Sequence, residues 1–297
     1  MPRNIERPEW LDSSVWPFPI QTLHTAAGRV AFTDVGQGQS LFFLNAPQWS
    51  MVWRDVMSIL QQGFRCIAMD APGLGLSDRV TADRQHLGVV RDAVVALIDR
   101  LDLTGAALVV HDLGGLSGLA AAARRPAAFT GLAAVNTFGW APSGILLPLM
   151  LGIFGSDPVR WLDTSTRALP VATSGRLGVG RRMDGSSRKA FRLAFDRPAV
   201  ATLHRLFSDA ARNSEVHSEA AQGVTLLAAR PALSVFGSWG DYLRFRRVWR
   251  RLLPRLTEVS VPGGIHFPMD DDPGLVARAI SSWQQSNLRP RGPDASG

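Results

Sequence analysis

The sequence predicts an α/β fold, a mostly parallel sheet covered by helices on both faces, with a helical segment inserted late in the chain. Three observations carry this expectation. Short apolar runs bounded by Gly or Pro alternate with helix-patterned stretches, and near-continuous apolar content marks strands buried on both faces. The chain has 297 residues, 46% apolar and 19% charged, which excludes wholesale disorder and suffices for a core that needs no staple. The alternation then breaks between about residues 140 and 228, where no continuous strand-type run occurs and helix-compatible residues dominate.

In chain order, a Pro- and Trp-rich leader (7–19) precedes strands at Arg29–Val35 and Leu41–Asn45, the second a run of Leu, Phe and Asn against a proline turn. A helix over Val52–Gln61 leads to the strand Arg65–Asp70. A long apolar-periodic helix, Gln85–Leu101, leads to the strand Ala106–His111. The helix Gly115–Arg124, built of small residues, leads to the strand Gly131–Asn136. After the break come the strand Ala232–Gly237, the helix Tyr242–Leu252, the strand Leu256–Val261 and the helix Pro273–Ser286. The expected organisation is a core of residues 1–139 and 229–287, a helical insertion over 140–228 and a tail over 288–297 without structure. The segment Phe138–Gly155 is strongly apolar, but Pro142 and Pro148 interrupt it and a spanning helix needs roughly 20 such residues. It is read as the opening of the insertion, lining an apolar cavity, and no membrane span is expected.

The formal net charge is +7, almost all of it arginine, with Lys189 the only lysine. These arginines are dispersed except in residues 242–255. There Leu243, Trp249, Leu252 and Leu253 fit one helix face and Arg244, Arg247, Arg250 and Arg251 lie mostly elsewhere, the pattern of a solvated face rather than of a nucleic-acid or lipid partner. Cys66, the single cysteine, forms no intramolecular disulfide and no zinc site of Cys type. The histidines show neither H-x-H nor H-E-x-x-H spacing, Asp270–Asp272 lacks the spacing of a calcium loop, and DAPGLGLSD lacks the third glycine of a dinucleotide loop. No metal, flavin or nicotinamide is expected. The N-terminus has no apolar h-region, so the expected compartment is the cytoplasm.

The chemistry concentrates in Ala107–Pro126, ALVVHDLGGLSGLAAAARRP. A buried strand runs to His111, then Asp112, then two glycines and a helix. Small residues around a strand-to-helix turn let the chain fold sharply and lift the central side chain above the sheet edge, the geometry of a nucleophile elbow with Asp in place of Ser. The plain alternative is that Asp112 caps the helix that follows. Asp241 follows the strand ALSVFG and His266 follows TEVSVPG, so both stand at strand C-termini, where open α/β sheets bind ligands. A lone loop histidine is usually a surface residue, whereas one placed third after a nucleophile and an acid is a catalytic candidate.

Five segments carry a family resemblance: LNAPQWSMVWR (44–54), DAPGLGLSDR (70–79), VVHDLGG (109–115), GSWGD (237–241) and GGIHF (263–267). Over nearly its whole length the chain resembles α/β-hydrolases of the haloalkane dehalogenase and epoxide hydrolase group, in which a helical cap is inserted after strand six. The resemblance implies that the Asp112 carboxylate displaces a leaving group at carbon to form an ester, and that His266 activates the water that hydrolyses it. Asp241 would orient the imidazole, and the backbone N–H groups of Leu113 and Ala46 would hold the oxyanion. The sequence departs from the dehalogenases where they hold the halide: Leu113 stands in place of a tryptophan and Ala46 in place of an asparagine. Asn45, Trp49 and Trp140 are the candidate substitutes for halide or substrate binding. The family's other acid position, after strand six, holds Asn136, which favours Asp241. The only tyrosine, Tyr242, falls outside the expected insertion, whereas epoxide hydrolases need two cap tyrosines. Leu113 and Leu116 occupy the place of the arginines by which fluoroacetate dehalogenases hold a carboxylate. The expected activity is hydrolytic dehalogenation of neutral haloalkanes without a cofactor, the partners being a small apolar substrate, water and a released halide. The alternatives are a hydrolase of an epoxide, ester or lactone, and a non-catalytic relative.

Overall fold

The computed structural model describes residues 3–4 and 6–288. Among the described residues the chain forms a nine-stranded sheet in the order β1-β2-β3-β5-β4-β6-β7-β8-β9. The strands are β1 (Arg3–Asn4), β2 (Gln21–Thr25), β3 (Gly28–Val35), β4 (Gln39–Ala46), β5 (Phe64–Met69), β6 (Ala106–Asp112), β7 (Phe129–Thr137), β8 (Ala232–Gly237) and β9 (Leu256–Val261). From β5 to β9 every pairing is parallel, while β1, β2 and β3 pair antiparallel at one end. The helices outside the insertion are α1 (Arg54–Leu60), α2 (Leu87–Leu101) and α3 (Gly114–Arg124), then α10 (Phe245–Leu252), α11 (Pro268–Asp271) and α12 (Pro273–Leu288). Between β7 and β8 lie only helical elements: α4 (Leu146–Phe154), α5 (Asp157–Thr166), α6 (Ala168–Thr173), a short 3₁₀ turn, α7 (Gly185–Leu193), α8 (Arg197–Ala210) and α9 (Ser214–Leu227). The insertion therefore follows the sixth strand once the two-residue β1 is set aside. Among the described residues no helix is long and apolar enough to cross a membrane.

The parallel strands form because their residues are apolar on both faces. Leu41–Leu44 and Ala106–His111 are fully buried, which only helices on both sides of the sheet allow. The helix α3 lies unusually close to the sheet. A Cβ at Gly114 would sit 2.7 Å from the Leu44 carbonyl oxygen, so the turn after β6 requires a residue without one. That close approach sets the first turn of α3 directly above the ends of β4 and β6.

The structure departs from the expected elements in three places. β1 and β2 were not expected; in QTLHT only Thr22 is buried, and strands near a sheet edge need no apolar run. The helix expected from Tyr242 starts at Phe245, because Asp241–Arg244 form a turn in which the Arg244 N–H bonds the Asp241 carbonyl at 3.0 Å and Arg244 takes φ +58°. At the C-terminus α12 continues through Leu288, so the first residue of the expected tail is helical; residues 289–297 lie outside the described residues.

Candidate active site

The C-terminal ends of β4, β6 and β7 and the loops after β8 and β9 meet under the inserted helices. Asp112 is the last residue of β6 and takes φ +51°, a left-handed conformation that costs a non-glycine residue energy and aims its side chain out of the sheet edge. The Thr137 hydroxyl holds the turn by donating to the Asp112 carbonyl at 2.6 Å. Asp112 does not cap α3: the cap position is Leu113 and no side chain bonds there. Its Oδ2 lies 3.0 Å from His266 Nε2 instead. The expected nucleophile and base are thus within hydrogen-bond reach, 154 residues apart in sequence.

His266 is held at its backbone and at its ring. Its carbonyl accepts from His111 Nε2 at 2.9 Å and from Asn136 Nδ2 at 3.0 Å. The same Asn136 Nδ2 lies 2.8 Å from His266 Nδ1. A ring nitrogen facing an amide N–H accepts, so a neutral His266 carries its proton on Nε2 and donates it to Asp112. Asn136 reaches this place through φ +43°, a conformation asparagine tolerates better than most residues. His111, wholly buried beneath this layer, is neutral, because burial pushes its pKa down to about 3. Its Nδ1 lies 2.8 Å from Asn45 Oδ1, while Asn45 Nδ2 has no partner among the described residues. With Nε2–H donated to the His266 carbonyl, Nδ1 of a neutral ring accepts, and the hydrogen bond is satisfied with the Asn45 amide turned end for end, its N–H toward the ring.

Asp241 follows β8 as expected, but its side chain is not on the imidazole. No hydrogen bond joins it to His266; its carboxylate faces the first turn of α10 and accepts the Arg246 N–H at 3.4 Å. Burial raises its pKa, and the α10 N–H groups act in the opposite sense. The cause is the turn after β8. The Trp239 N–H is tied to the Gly264 carbonyl at 3.0 Å, and Gly240 lies so close to the β9 loop that a Cβ would sit 1.9 Å from the Ile265 carbonyl. The chain leaves that contact with Asp241 turned toward α10, and Asn136 occupies the imidazole's second nitrogen.

The Leu113 N–H and the three expected halide side chains stand in other surroundings. The Leu113 N–H is engaged with the Ala46 carbonyl at 2.8 Å, because the parallel ladder of β4 and β6 continues through the pair Ala46 and Asp112. Asn45 is spent on His111. Trp49 is wholly buried against Trp10 and Trp16, with ring centroids 6.1 Å away in each case, and its indole N–H has no partner. Trp140 packs on Trp249 at 4.9 Å and on Phe245 at 5.7 Å. None of the three lines the cavity that opens over Asp112.

That cavity measures about 200 Å³, with Asp112, Asn136 and His266 on its floor and Phe138, Leu147, Leu151 and Phe154 among its walls. The apolar walls come largely from the insertion, as the Leu-rich stretch suggested. Two polar side chains that the sequence reading did not place there also line it, Gln48 and Tyr242. The spacing to Ala46 and Asp241 was a signal for both: each stands one or two residues beyond a position already singled out. Among the described residues no group of three or more His, Cys, Asp or Glu side chains is gathered to hold a metal ion.

The model of the α/β hydrolase fold family matches residues 44–273. Haloalkane dehalogenase 2 of Mycobacterium tuberculosis is 24% identical over 278 residues, covering 91% of this chain and 96% of that protein. The cis-3-alkyl-4-alkyloxetan-2-one decarboxylase of Xanthomonas campestris is 28% identical over 284 residues, covering 87% and 93%. The crystal structure of haloalkane dehalogenase DbeA from Bradyrhizobium elkani superposes with a TM-score of 0.76 at 22% identity, over 90% of this chain and 98% of that one, a likeness of fold.

Proposed function

The chain belongs to the α/β-hydrolase fold family, and we propose that it is an enzyme in which Asp112 attacks carbon in a small apolar substrate to give a covalent ester. The observation that carries this reading is the 3.0 Å contact of Asp112 Oδ2 with His266 Nε2 at the floor of an apolar cavity. In hydrolytic dehalogenation an Asp112 oxygen forms a bond to the carbon and the carbon–halogen bond breaks, releasing halide. His266 then takes a proton from water, hydroxide adds to the Asp112 carboxyl carbon, and the alcohol leaves. For that second step Nε2 must be free to accept, so Asn136 must turn its oxygen to Nδ1 and draw the ring proton there. Neither step calls for a metal or an organic cofactor.

The proton on His266 Nε2 favours a second reading, named by the decarboxylase relative: opening of a four-membered lactone. Attack of Asp112 at C4 of an oxetan-2-one breaks the ring C–O bond and frees a carboxylate. Loss of CO₂ from that carboxylate moves the C2–C3 electron pair into a C3=C4 double bond and expels the Asp112 carboxylate. The products are an alkene and CO₂, no water is consumed, and an imidazole that donates to Asp112 suits the departure of its carboxylate.

The test exposes the His266→Phe variant to 1-bromohexane and maps adducts by peptide mass spectrometry, with halide and CO₂ release measured in parallel on the unaltered chain. An alkyl ester on the Asp112 peptide is expected. Absence of any adduct, together with no halide from a haloalkane panel and no CO₂ from dialkyl oxetan-2-ones, would leave the chain as a non-catalytic relative.

A further inference from the structure

Gln48 is 6% exposed and lines the cavity, yet among the described residues its side chain makes no hydrogen bond, and its Oε1 is buried without a partner. A buried amide left unpaired costs about 1–3 kcal/mol, and an apolar residue of the same length would fill the space without that cost. Tyr242 lines the same cavity, half-exposed, and its hydroxyl likewise has no partner among the described residues. Burial raises the phenol's pKa, and so does the charge of Asp112. The rest of the lining is apolar apart from Asp112, Asn136, His266 and Thr173.

We infer that Gln48 and Tyr242 are the substrate's polar hook: an amide N–H and a phenol O–H that hold the atom leaving carbon as Asp112 attacks. The ligand class is an apolar chain with one hydrogen-bond acceptor at the reacting end, halogen or ring oxygen. Both donors are neutral, so they stabilise charge as it develops without drawing in a ready-made anion. Neither residue stands at a position from which halide binding was expected, and none of the three that do lines the cavity. The assignment rests on the reading of Asp112 as nucleophile, and its test is built to fail separately.

Gln48→Met keeps the length of the side chain and removes the amide; Tyr242→Phe removes the hydroxyl. Binding to the full-length chain is followed by tryptophan fluorescence with two probes, 1-hexanol, which carries one oxygen, and benzene, which carries none. Each variant is expected to weaken 1-hexanol about fivefold or more and to leave benzene within about twofold. Gln48→Met is also expected to melt no lower than the unaltered chain, since it relieves an unpaired amide. In the His266→Phe background each variant is expected to slow labelling of Asp112 by 1-bromohexane about tenfold. Unchanged 1-hexanol affinity in both variants, or a marked fall in the melting temperature of Gln48→Met, overturns the inference whatever the enzyme turns over. Weakened 1-hexanol binding without any Asp112 adduct upholds the hook and sinks the nucleophile instead.

Discussion

Two histidines of this molecule face a carboxylate, and their other partners set them apart. In the insertion, His204 on α8 is wholly buried, with Nε2 2.8 Å from Asp163 Oδ2 and Nδ1 2.5 Å from the Phe154 carbonyl. Both partners are oxygens, so each ring nitrogen faces a buried acceptor. The second Asp163 oxygen is occupied by the Leu169 N–H at 2.9 Å. That arrangement is closed: it ties α4, α5, α6 and α8 together and leaves nothing to react. His266, whose side chain is 32% exposed, has an acceptor on Nε2 and a donor on Nδ1, and its carboxylate neighbour faces a cavity. The comparison teaches that a His–Asp contact alone does not mark a catalytic site. What the second nitrogen meets decides whether the ring's proton can move.

The largest expected effect comes from giving His266 what His204 already has. Asn136→Asp supplies an acceptor at Nδ1, moves the ring proton there and frees Nε2 to take a proton from water. The reverse exchange in a serine-protease triad lowers turnover by about 10⁴, so hydrolysis of the Asp112 ester is expected to accelerate by about 10²–10⁴. Rapid-quench measurement of ester decay checks it. The variant also forfeits the Asn136 N–H bond to the His266 carbonyl, and a loss of about 1–2 kcal/mol of stability is expected. If decay is unchanged while CO₂ release from an oxetan-2-one falls, the water-free reading is the one that survives.

Breaking the closed pair comes next. Asp163→Asn removes the carboxylate that His204 Nε2 faces in a fully buried setting, and disturbing a buried hydrogen bond of this kind costs about 1–3 kcal/mol. Chemical denaturation should show this loss, and the insertion should become sensitive to limited proteolysis before the sheet does. A change under about 0.5 kcal/mol would mean that this contact does not tie the helices of the insertion together.

A third histidine supplies the pH dependence. His111 is held neutral between the Asn45 amide and the His266 carbonyl, and burial keeps its folded pKa at about 3 against about 6.5 in an unfolded chain. Above the unfolded value neither state takes up the proton and the term vanishes. As the pH falls below it, the unfolded chain binds a proton that the folded one refuses, so stability is lost at about 1.4 kcal/mol per pH unit. Between pH 6.5 and 5 the loss is about 2 kcal/mol, and His111→Gln, which cannot titrate, should lack that part of it. Urea midpoints of both chains at the two pH values provide the check.

The parts of this site legible in the sequence are those fixed by strand ends. β4, β6, β8 and β9 are read from apolar runs, and Asp112 and His266 follow because the first closes such a run and the second comes shortly after one. What stayed hidden depends on the path of loops. Trp49 lies two residues beyond the Pro47 turn, but it enters the 3₁₀ turn Ser50–Trp53 facing the leader's Trp10 and Trp16 rather than the cavity. Asn136 holds the family's other acid position, which favours Asp241 in the sequence, although it is the group that contacts the ring. Gln48 and Tyr242 belong to loops whose direction no local pattern records.

The smallest effect expected is itself a test of the arrangement. Asp241 has the residue type and chain position of a triad acid, and if it oriented His266, Asp241→Asn would cost about 10⁴ in turnover. In this structure its carboxylate serves the first turn of α10, where asparagine's oxygen can accept the same Arg246 N–H. Burial also raises its pKa, so the carboxylate's charge is poorly supported where it stands, and a neutral amide of equal size relieves that. Activity of Asp241→Asn is therefore expected within about threefold of the unaltered chain, with stability unchanged or slightly higher. A collapse of turnover with the fold intact would show that the loop after β8 swings Asp241 onto Nδ1 during the reaction. His266 would then resemble His204 after all, with a carboxylate supplied only when it is needed.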